Sequence, residues 1–350
     1  MMSARFLTVV LERAFNMRDG FGREIDYMRI SVIDSCNLNC YYCNPCDNNE
    51  HCHALNILSV KEVLGIVRAA TRLGIKHFRL TGGEPLLHPQ LDEMVLQIKK
   101  IPGVSSVSLT TNAVLLVQHA KWLKEAGIDS INVSLDTIDA SEYERITKKP
   151  LLEEVKHGIN AAIECGIRVK INVVLTPQTD VVALTRYVAK KGTDIRFIEM
   201  MPVGEGHTNG VEPYKKVIGT LSKLYGEPCR INTEKTKEIN SGNDKRKIPD
   251  NGPAEYYIFP ELGIRVGLIQ AIHGKFCDTC NRIRVTADGR LMPCLGSSVT
   301  MDLVPDSWDF ADDVEKDFSI VRALRAAIKA KPRCHNFNDN AVTYTKTTET

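Results

Sequence analysis

The sequence predicts an α/β protein with a parallel sheet, because segments typical of strands alternate with segments typical of helices. Six strand–helix units follow one another, with strands predicted at residues 27–33, 76–80, 104–109, 130–135, 168–175 and 194–199. Polar residues or glycines follow most of these strands. The alternation favours parallel strands joined by right-handed crossovers.

The helix boundaries carry local signals. Ser59 can cap a first helix that runs to about Leu73, with Glu62 as the reciprocal partner of a capping box. Gly74 then ends that helix. Further helices are predicted from after Pro85 to Lys100, at 114–126, at 152–165, and before residue 194.

Reactive groups of parallel α/β barrels gather where the strands end. The residues at these positions are 36–43, 82–85, 110–112, Ser134, Asp136, Lys170, Arg196, Glu199 and Met201. A purely structural strand end does not need this chemistry, although one such residue alone would mean little.

The composition changes after Met201. A loop is predicted at 202–210, a helix at 211–225, and an exposed, lysine-rich segment at 233–252. That segment is interpreted as a solvated loop in preference to a polyanion contact. Short strands around a second group of cysteines, a helix at 314–330 and a polar tail complete the chain.

The overall composition is ordinary for a globular protein, with 350 residues, 43% hydrophobic and 25% charged. A net charge of +2 gives no reason to expect nucleic acid or membrane partners. Eleven cysteines without an export signal indicate a reducing compartment, which we expect to be the cytoplasm.

Three cysteines follow the first predicted strand in one short loop: Cys36, Cys40 and Cys43. This spacing lets the loop hold one metal centre with three thiolates. A 4Fe–4S cube normally takes four cysteines, so three leave one iron open. The alternative is a zinc loop, whose fourth ligand would come from Cys46, His51, Cys52 or His53.

The second group, Cys277, Cys280 and Cys294, can hold a second cluster in the same way. The alternative here is a zinc ribbon, which would need a fourth ligand from Cys334, Cys229 or His273.

The segment Gly82-Gly83-Glu84-Pro85 lies directly after a predicted strand. Its two glycines let backbone approach a ligand closely, and the glutamate or backbone groups can accept hydrogen bonds from an ammonium group.

The cysteine loop followed by Gly-Gly-Glu-Pro resembles the signature of the radical S-adenosylmethionine (SAM) enzymes. A larger ordered set is similar to the GTP 3′,8-cyclase family within that superfamily, from about Gly22 to Phe337. The set comprises Arg29-Ile-Ser, the first cysteine loop, Arg79 to Pro85, Thr110-Thr-Asn112, Asn132 to Asp136, Lys170, Arg196 to Glu199, and Cys277 to Cys294 with Arg282 and Arg284.

The resemblance implies a partial (βα)6 TIM-like radical SAM barrel with a C-terminal extension that carries a second 4Fe–4S cluster. The expected organisation is an N-terminal extension (1–21), a barrel core (22–232), a cluster-binding region (233–337) and a tail (338–350).

The resemblance also assigns site residues. Cluster ligands would be Cys36, Cys40, Cys43, Cys277, Cys280 and Cys294. SAM contacts would be Tyr42, Gly83, Glu84, Ser134 and Met201. Substrate contacts would be Arg29, Arg79, Thr110, Lys170, Arg196, Arg282 and Arg284, the last two also being catalytic. Arginine forks suit phosphate oxygens, although any one arginine alone could form a surface salt bridge.

The implied reaction begins with reductive cleavage of SAM to methionine and a 5′-deoxyadenosyl radical, which takes the 3′ hydrogen of GTP. The C3′ radical adds to C8, and a further electron and proton complete the product. The implied partners are GTP, a low-potential electron donor, a downstream cyclic pyranopterin monophosphate synthase and, in one arrangement, a second copy of the chain.

Several positions depart from the family pattern. The family usually ends in Gly-Gly, whereas this sequence ends Thr345-Lys-Thr-Thr-Glu-Thr350. Ala113 replaces a glycine and would cost about 1 kcal/mol at positive φ. His77 stands where lysine is frequent, and Cys46 and Cys52 are additional.

Two other functions remain open from the sequence. One is a radical SAM paralogue that acts on another nucleotide or a peptide. The other is a non-catalytic iron–sulfur protein that has kept the scaffold.

Overall fold

The computed structural model describes residues 17–43, 56–203, 206, 210–231, 252–297, 299–303 and 313–337. The N-terminal pattern before residue 17, the segment with Cys46 and Cys52, nearly all of the lysine-rich segment and the tail lie outside the described residues.

Six strand–helix units form the first part of the chain, and all six predicted strands are confirmed. In chain order the elements are β1 (Tyr27–Ser31), α1 (Val60–Arg72), β2 (His77–Thr81), α2 (Leu91–Lys99), β3 (Ser106–Thr111), α3 (Leu116–Glu125), β4 (Ser130–Ser134), α4 (Ala140–Thr147), α5 (Leu152–Glu164), β5 (Val169–Val174), α6 (Val181–Lys190) and β6 (Asp194–Ile198).

Local capping explains where two of these helices begin. The predicted capping box of α1 is confirmed: Ser59 Oγ accepts from Glu62 N at 3.3 Å, and Glu62 accepts from Ser59 N at 2.6 Å. Helix α4 was not predicted, although the side chain of Asp139 caps it by accepting from Glu142 N. With only 8 residues, α4 carries too short a hydrophobic pattern to stand out.

The C-terminal part adds strands at both edges of the sheet. Its elements are a π-helical turn (Tyr214–Ile218), α7 (Gly219–Tyr225), β7 (Cys229–Ile231), β8 (Glu255–Ile258), β9 (Arg265–Ile269), β10 (Arg282–Val285), β11 (Arg290–Met292), β12 (Met301–Asp302) and α8 (Asp313–Lys329). The predicted last helix and the short strands around the second cysteine group are confirmed.

The described strands form one sheet in the order β12-β11-β10-β1-β2-β3-β4-β5-β6-β9-β8-β7. Strands β1 to β6 are parallel, β10 pairs in parallel with β1, and β9 pairs in parallel with β6. The parallel sheet predicted from the alternation is therefore confirmed. The predicted division into a core and a cluster-binding region stays a prediction, since one sheet runs through both.

Side chains alternate along the parallel strands between an apolar and a polar face. On β1, Met28 and Ile30 are fully buried in the hydrophobic core, whereas Tyr27 and Arg29 face the other way. The same two-residue period recurs on β2 to β6 and on β10. A parallel sheet that is packed on both faces has apolar residues on both. Since one face of this sheet carries polar side chains, that face is not packed against helices and lines a polar cavity.

Within the part of the chain that the structure describes, no helix is both long enough and apolar enough to cross a bilayer.

Candidate active site

The polar face of the sheet surrounds a cavity of about 550 Å³. Three arginines lie side by side on its wall, because Arg29 on β1 is in register with Arg284 on β10 and with Arg79 on β2. Ser108 on β3 continues this row. The register of the sheet thus places arginines that are far apart in sequence side by side in one row.

A second row of side chains lies on the same face of the sheet, two residues earlier along each strand. Tyr27 pairs in register with Arg282 on one side and His77 on the other. The guanidinium carbons of Arg79 and Arg282 each lie 5.7 Å from the centre of the Tyr27 ring. Burial lowers the pKa of His77, so its imidazole is a neutral polar group beside the arginines.

The opposite wall comes from β4, β5 and β6. Lys170 and Arg196 are each only 3% exposed. Asn172 is in register with Arg196, whose Nε donates to Asn172 Oδ1 at 2.9 Å. Gly267 on β9 leaves room for this arginine, since a Cβ there would lie 2.8 Å from Arg196 Cγ.

The cavity is strongly cationic. Among the described residues that line it, eight are arginine or lysine (Arg29, Arg79, Arg168, Lys170, Arg196, Arg282, Arg284 and Lys331) and one is a carboxylate, Asp129. Asp129 already accepts hydrogen bonds from Lys99 and from the backbone of Val107. Burial, and then repulsion by Arg284, holds the pKa of Arg29 well below its usual range. Such a cavity favours a multiply charged anion.

Several buried polar atoms around the cavity lack a hydrogen-bond partner among the described residues. They include Arg29 Nε, Arg79 Nε, Arg168 Nη2 and both side-chain polar atoms of Asn132 on the cavity lining, and Thr110 Oγ1, which lies outside that lining on β3. Buried polar atoms are nearly always hydrogen-bonded, so this side of the fold suits a polar ligand.

The second cysteine group forms part of the same cavity wall. Cys277, Cys280 and Cys294 all line it. Burial would raise the pKa of Cys280, but Lys331 and Arg282 lower it below its usual value and favour the thiolate. Three thiols that line one cavity beside cationic groups fit a cluster held by three cysteines. Among the described residues, the ligand atoms that lie within 4.8 Å of one another are those of Cys277, Cys334 and His335.

The proposed alternative fourth ligands of this group differ in position. Cys229 lies on β7 at the far end of the sheet, and the His273 ring contacts the Glu199 carboxylate. The Cys334 thiol, in contrast, lies 3.3 Å from Cys277 Sγ.

The first cysteine loop lies beyond the end of β1. Cys36 Sγ accepts hydrogen bonds from Leu38 N at 3.5 Å and from Asn112 Nδ2 at 3.8 Å. Burial raises the pKa of all three thiols, that of Cys40 to about 12. Because metal binding releases thiol protons, a loop of three neighbouring thiols with backbone and amide donors fits a three-cysteine cluster.

The predicted close approach at Gly82-Gly83 is present, but its partner is protein backbone. A Cβ on Gly82 would lie 2.4 Å from Ile33 O, and one on Gly83 would lie 2.1 Å from Ser35 O. Gly83 N donates to Ile33 O and Glu84 N to Ser35 O, at 2.8 and 2.7 Å. The glycines therefore hold the segment that leads into Cys36.

The carboxylate of Glu84 is 1% exposed and bonded within the protein. It accepts from Leu86 N, Thr111 Oγ1 and Asn112 N, at 3.0, 2.6 and 2.7 Å. Burial raises its pKa to about 6. Through these hydrogen bonds the side chain of Glu84 orders the loop after β3. The predicted contact of Glu84 with the SAM ammonium group stays a prediction.

The remaining predicted residues separate into two places. Met201 lines the large cavity with the arginines and the lysine that are predicted to bind substrate. Tyr42 and Ser134 line a smaller pocket beside Cys40, about 40 Å³ in volume. Thr110, Gly83 and Glu84 line neither. Ala113 has a φ of +66°, so the strain expected for a non-glycine residue is present.

Sequence reasoning did not assign a site role to several polar cavity residues along the strands, such as Tyr27, Ser108 and Asn172, and it named Asn132 only as part of a family motif. The signal was the alternation of polar and apolar residues in strands that the helical connections required to be parallel.

The two parts of the chain match two family models. Residues 30–183 match the radical SAM superfamily. Residues 193–337 match the family described as Molybdenum Cofactor Synthesis C.

Relatives match nearly the whole chain. The GTP 3′,8-cyclase of Clostridium perfringens (strain SM101 / Type A) is 35% identical over 324 residues, covering 92% of this chain and 95% of that protein. The GTP 3′,8-cyclase of Petrotoga mobilis (strain DSM 10674 / SJ95) is 35% identical over 331 residues, covering 93% and 96%.

Solved structures share the fold at low identity. Streptococcus suis SuiB aligns with a TM-score of 0.55 at 16% identity, over 85% of this chain and 65% of SuiB. The chain thus spans about two thirds of the length of SuiB. Native anSMEcpe with bound AdoMet aligns with a TM-score of 0.53 at 18% identity, over 85% and 82%. The predicted radical SAM α/β fold is confirmed, and the chain belongs to the GTP 3′,8-cyclase family of radical SAM enzymes.

Proposed function

We propose that this chain converts GTP to (8S)-3′,8-cyclo-7,8-dihydroguanosine 5′-triphosphate for molybdenum cofactor biosynthesis. The observation that carries the proposal is the cavity, which is lined by eight cationic side chains together with the three cysteines of the second group. A triphosphate supplies the anionic charge that such a cavity requires, and a purine supplies ring nitrogens for an open iron.

The cationic and polar residues of the cavity have different roles in binding the nucleotide. The row formed by Arg284, Arg29 and Arg79 binds phosphate oxygens through guanidinium forks. Lys170 and Arg196 bind from the opposite wall. Thr110, whose Oγ1 lacks a partner among the described residues, contributes a hydroxyl.

Arg282 holds the nucleotide beside the second cysteine group. Its guanidinium lies 5.7 Å from the Tyr27 ring centre and 5.8 Å from that of Phe276, which fixes its direction. Since Arg282 and Arg284 lie two residues apart on β10, both side chains face the cavity. We assign these two arginines to direct contact with the reacting nucleotide.

Two clusters complete this site, the first held by Cys36, Cys40 and Cys43 and the second by Cys277, Cys280 and Cys294. When bound, they and SAM supply the radical chemistry. The chain itself excludes water and holds C3′ of the ribose near C8 of the guanine, which is where orientation accelerates the ring closure. Tyr42, Ser134 and Met201 are the proposed SAM contacts, with Gly83 and Glu84 supporting the loop.

The test is anaerobic turnover with GTP that carries deuterium at C3′. Reconstituted, reduced protein with SAM should transfer deuterium to 5′-deoxyadenosine. It should also give a cyclised nucleotide that has lost the deuterium from C3′, which is now bonded to C8, and has gained one hydrogen from solvent at N7. SAM cleavage without deuterium transfer would favour a paralogue with another substrate. Absence of SAM cleavage in protein that carries both clusters would favour a binding protein.

The resemblance also supports four finer proposals. These are a low-potential electron donor, delivery of the product to a cyclic pyranopterin monophosphate synthase, a homodimer, and a cytoplasmic location that suits the unpaired cysteines.

A further inference from the structure

The short segment after α8 is fixed against the second cysteine group by hydrogen bonds. Arg23 donates to Cys277 O, Arg333 O and Pro332 O, at 2.7, 2.9 and 2.6 Å. It therefore joins the backbone of the cysteine turn to the backbone of this segment.

Side chains on both sides of Cys334 hold the same segment. Lys331 Nζ donates to Arg282 O at 2.8 Å and to Pro293 O at 2.9 Å. His335 Nε2 bonds to Ala271 O at 2.8 Å. The position of Cys334 is thus set by the fold on both sides.

This arrangement brings two thiols into contact. Cys334 Sγ lies 3.3 Å from Cys277 Sγ, and neither cysteine is in a disulfide. A disulfide bond is about 2.0 Å long, so side-chain rotations that bring the two sulfurs about 1.3 Å closer would allow the bond to form. Cys334 is exposed and Cys277 is 8% exposed, which gives the pair one thiol that solvent oxidants can reach.

We infer that Cys334 is a redox partner of Cys277, and that oxidation joins the two in a disulfide that removes Cys277 from the second cluster site. The effect on the cluster rests on the ligand assignment proposed above, whereas the crosslink does not. The pair acts before cluster assembly or after cluster loss, when the Cys277 sulfur is free.

The oxidant is a low-molecular-weight disulfide, such as oxidised glutathione. The Cys334 thiolate attacks one of its sulfurs, forms a mixed disulfide and releases one thiol. The Cys277 thiolate then attacks the Cys334 sulfur and releases the second thiol. Two cysteines are oxidised, one small disulfide is reduced, and the two cysteine protons end on the released thiols.

Disulfide mapping tests the crosslink directly. Full-length, cluster-free protein, with its fold checked by circular dichroism, is treated anaerobically with oxidised glutathione, alkylated and digested with trypsin without reduction. The expected product joins the peptide of residues 276–282 to the peptide of residues 334–346. Fragmentation should place the bond on Cys277 and not on Cys280.

Iron content provides the second readout. After oxidation and reconstitution, iron should fall from about eight to about four per chain, since two cubes of four become one. Dithiothreitol should restore it. Cys334→Ser should keep about eight irons after the same oxidation, whereas Cys229→Ser, an exposed cysteine on β7, should respond like the wild type.

Several results would overturn the inference. They are free Cys277 and Cys334 after oxidation, preferential linkage of Cys277 to Cys280 or Cys294, protection of both thiols by a zinc ion held with His335, or equal iron loss in Cys334→Ser. A crosslink that forms without affecting a second cluster would instead show that the ligand assignment is wrong, which separates the two failures.

Discussion

The phenolic hydroxyl of Tyr42 donates a hydrogen bond to a carboxylate oxygen of Asp136. The other oxygen of Asp136 accepts from Val174 N at 2.7 Å. This relationship ties the first cysteine loop to the ends of β4 and β5. Burial raises the pKa of Asp136 to about 6. Burial, and then the negative charge of Asp136, raise the pKa of Tyr42 well above its usual value.

Tyr42→Phe should loosen the first cysteine loop without unfolding the protein. A hydrogen bond to a buried carboxylate contributes about 1.5–3 kcal/mol, so iron release to a chelator should become at least about tenfold faster. The measurement uses a background in which Cys277, Cys280 and Cys294 are serine, so that all iron belongs to the first cluster. Tyr41→Phe is the control, since Tyr41 is 38% exposed; equal release rates in both variants would contradict the role of Tyr42.

Gly83→Ala should remove the first cluster and spare the second. The added Cβ would lie 2.1 Å from Ser35 O, so the backbone that leads into Cys36 must move. We expect iron to fall from about eight to about four per chain. In Gly219→Ala the new Cβ meets nothing within 4 Å in a helix, and about eight irons should remain. Full iron content in Gly83→Ala would show that this approach is not needed for the loop.

Glu84→Gln should change how stability depends on pH. Burial holds the folded-state pKa of Glu84 at about 6, above the ordinary 4.5. The stabilisation from the protonated carboxyl is therefore present below pH 4.5 and is lost as the pH rises through 6. The amide does not titrate, so the advantage of wild type over Gln should shrink by about 2 kcal/mol between pH 4 and 7.5. Urea unfolding of both proteins at several pH values measures this difference in the free energy of unfolding. If the free energies of unfolding of wild type and Glu84→Gln depend on pH in parallel, the prediction is wrong.

Arg284→Ala should weaken nucleotide binding far more than it weakens the fold. One lost charged contact predicts a fall of about 10–100-fold in GTP affinity, measured by anaerobic equilibrium dialysis. Without nucleotide, the free energy of unfolding should fall by less than about 1 kcal/mol, because removal of the charge relieves repulsion with Arg29.

Two comparisons separate this effect from misfolding. Arg68→Ala, on the exposed face of α1, should leave GTP affinity unchanged. SAM binding should also be unchanged in Arg284→Ala, and an equal loss of SAM and GTP binding would contradict the assignment of Arg284 to the substrate.

The fold was largely predictable because its information is local. Each of the six strands is bounded by turn residues, and signals such as the capping box at Ser59 and Glu62 lie within four residues of each other. Helix α4 was missed because so short a helix depends on its packing.

The site was predictable only where motifs carried it. The cysteine loops and the cationic residues of the family motifs were found, but the prediction that Lys170 and Arg196 lie at strand ends is wrong, since they lie within β5 and β6. The pairing of β10 with β1, which places Arg284 beside Arg29, joins residues about 250 positions apart. The inward direction of the Glu84 carboxylate and the contact of Cys334 with Cys277 likewise depend on tertiary structure. Local pattern contains no information on such distances.

Strand β1 obtains its neighbour β10 only after most of the other strands have been synthesised. During synthesis, β1 (Tyr27–Ser31) leaves the ribosome about 250 residues before its neighbour β10 (Arg282–Val285). Until then the nascent chain exposes bare edges at β1 and β6, which invite pairing with other chains. A prematurely terminated polypeptide lacking β9 and β10 would be a substrate for chaperones or proteases, not a smaller working enzyme.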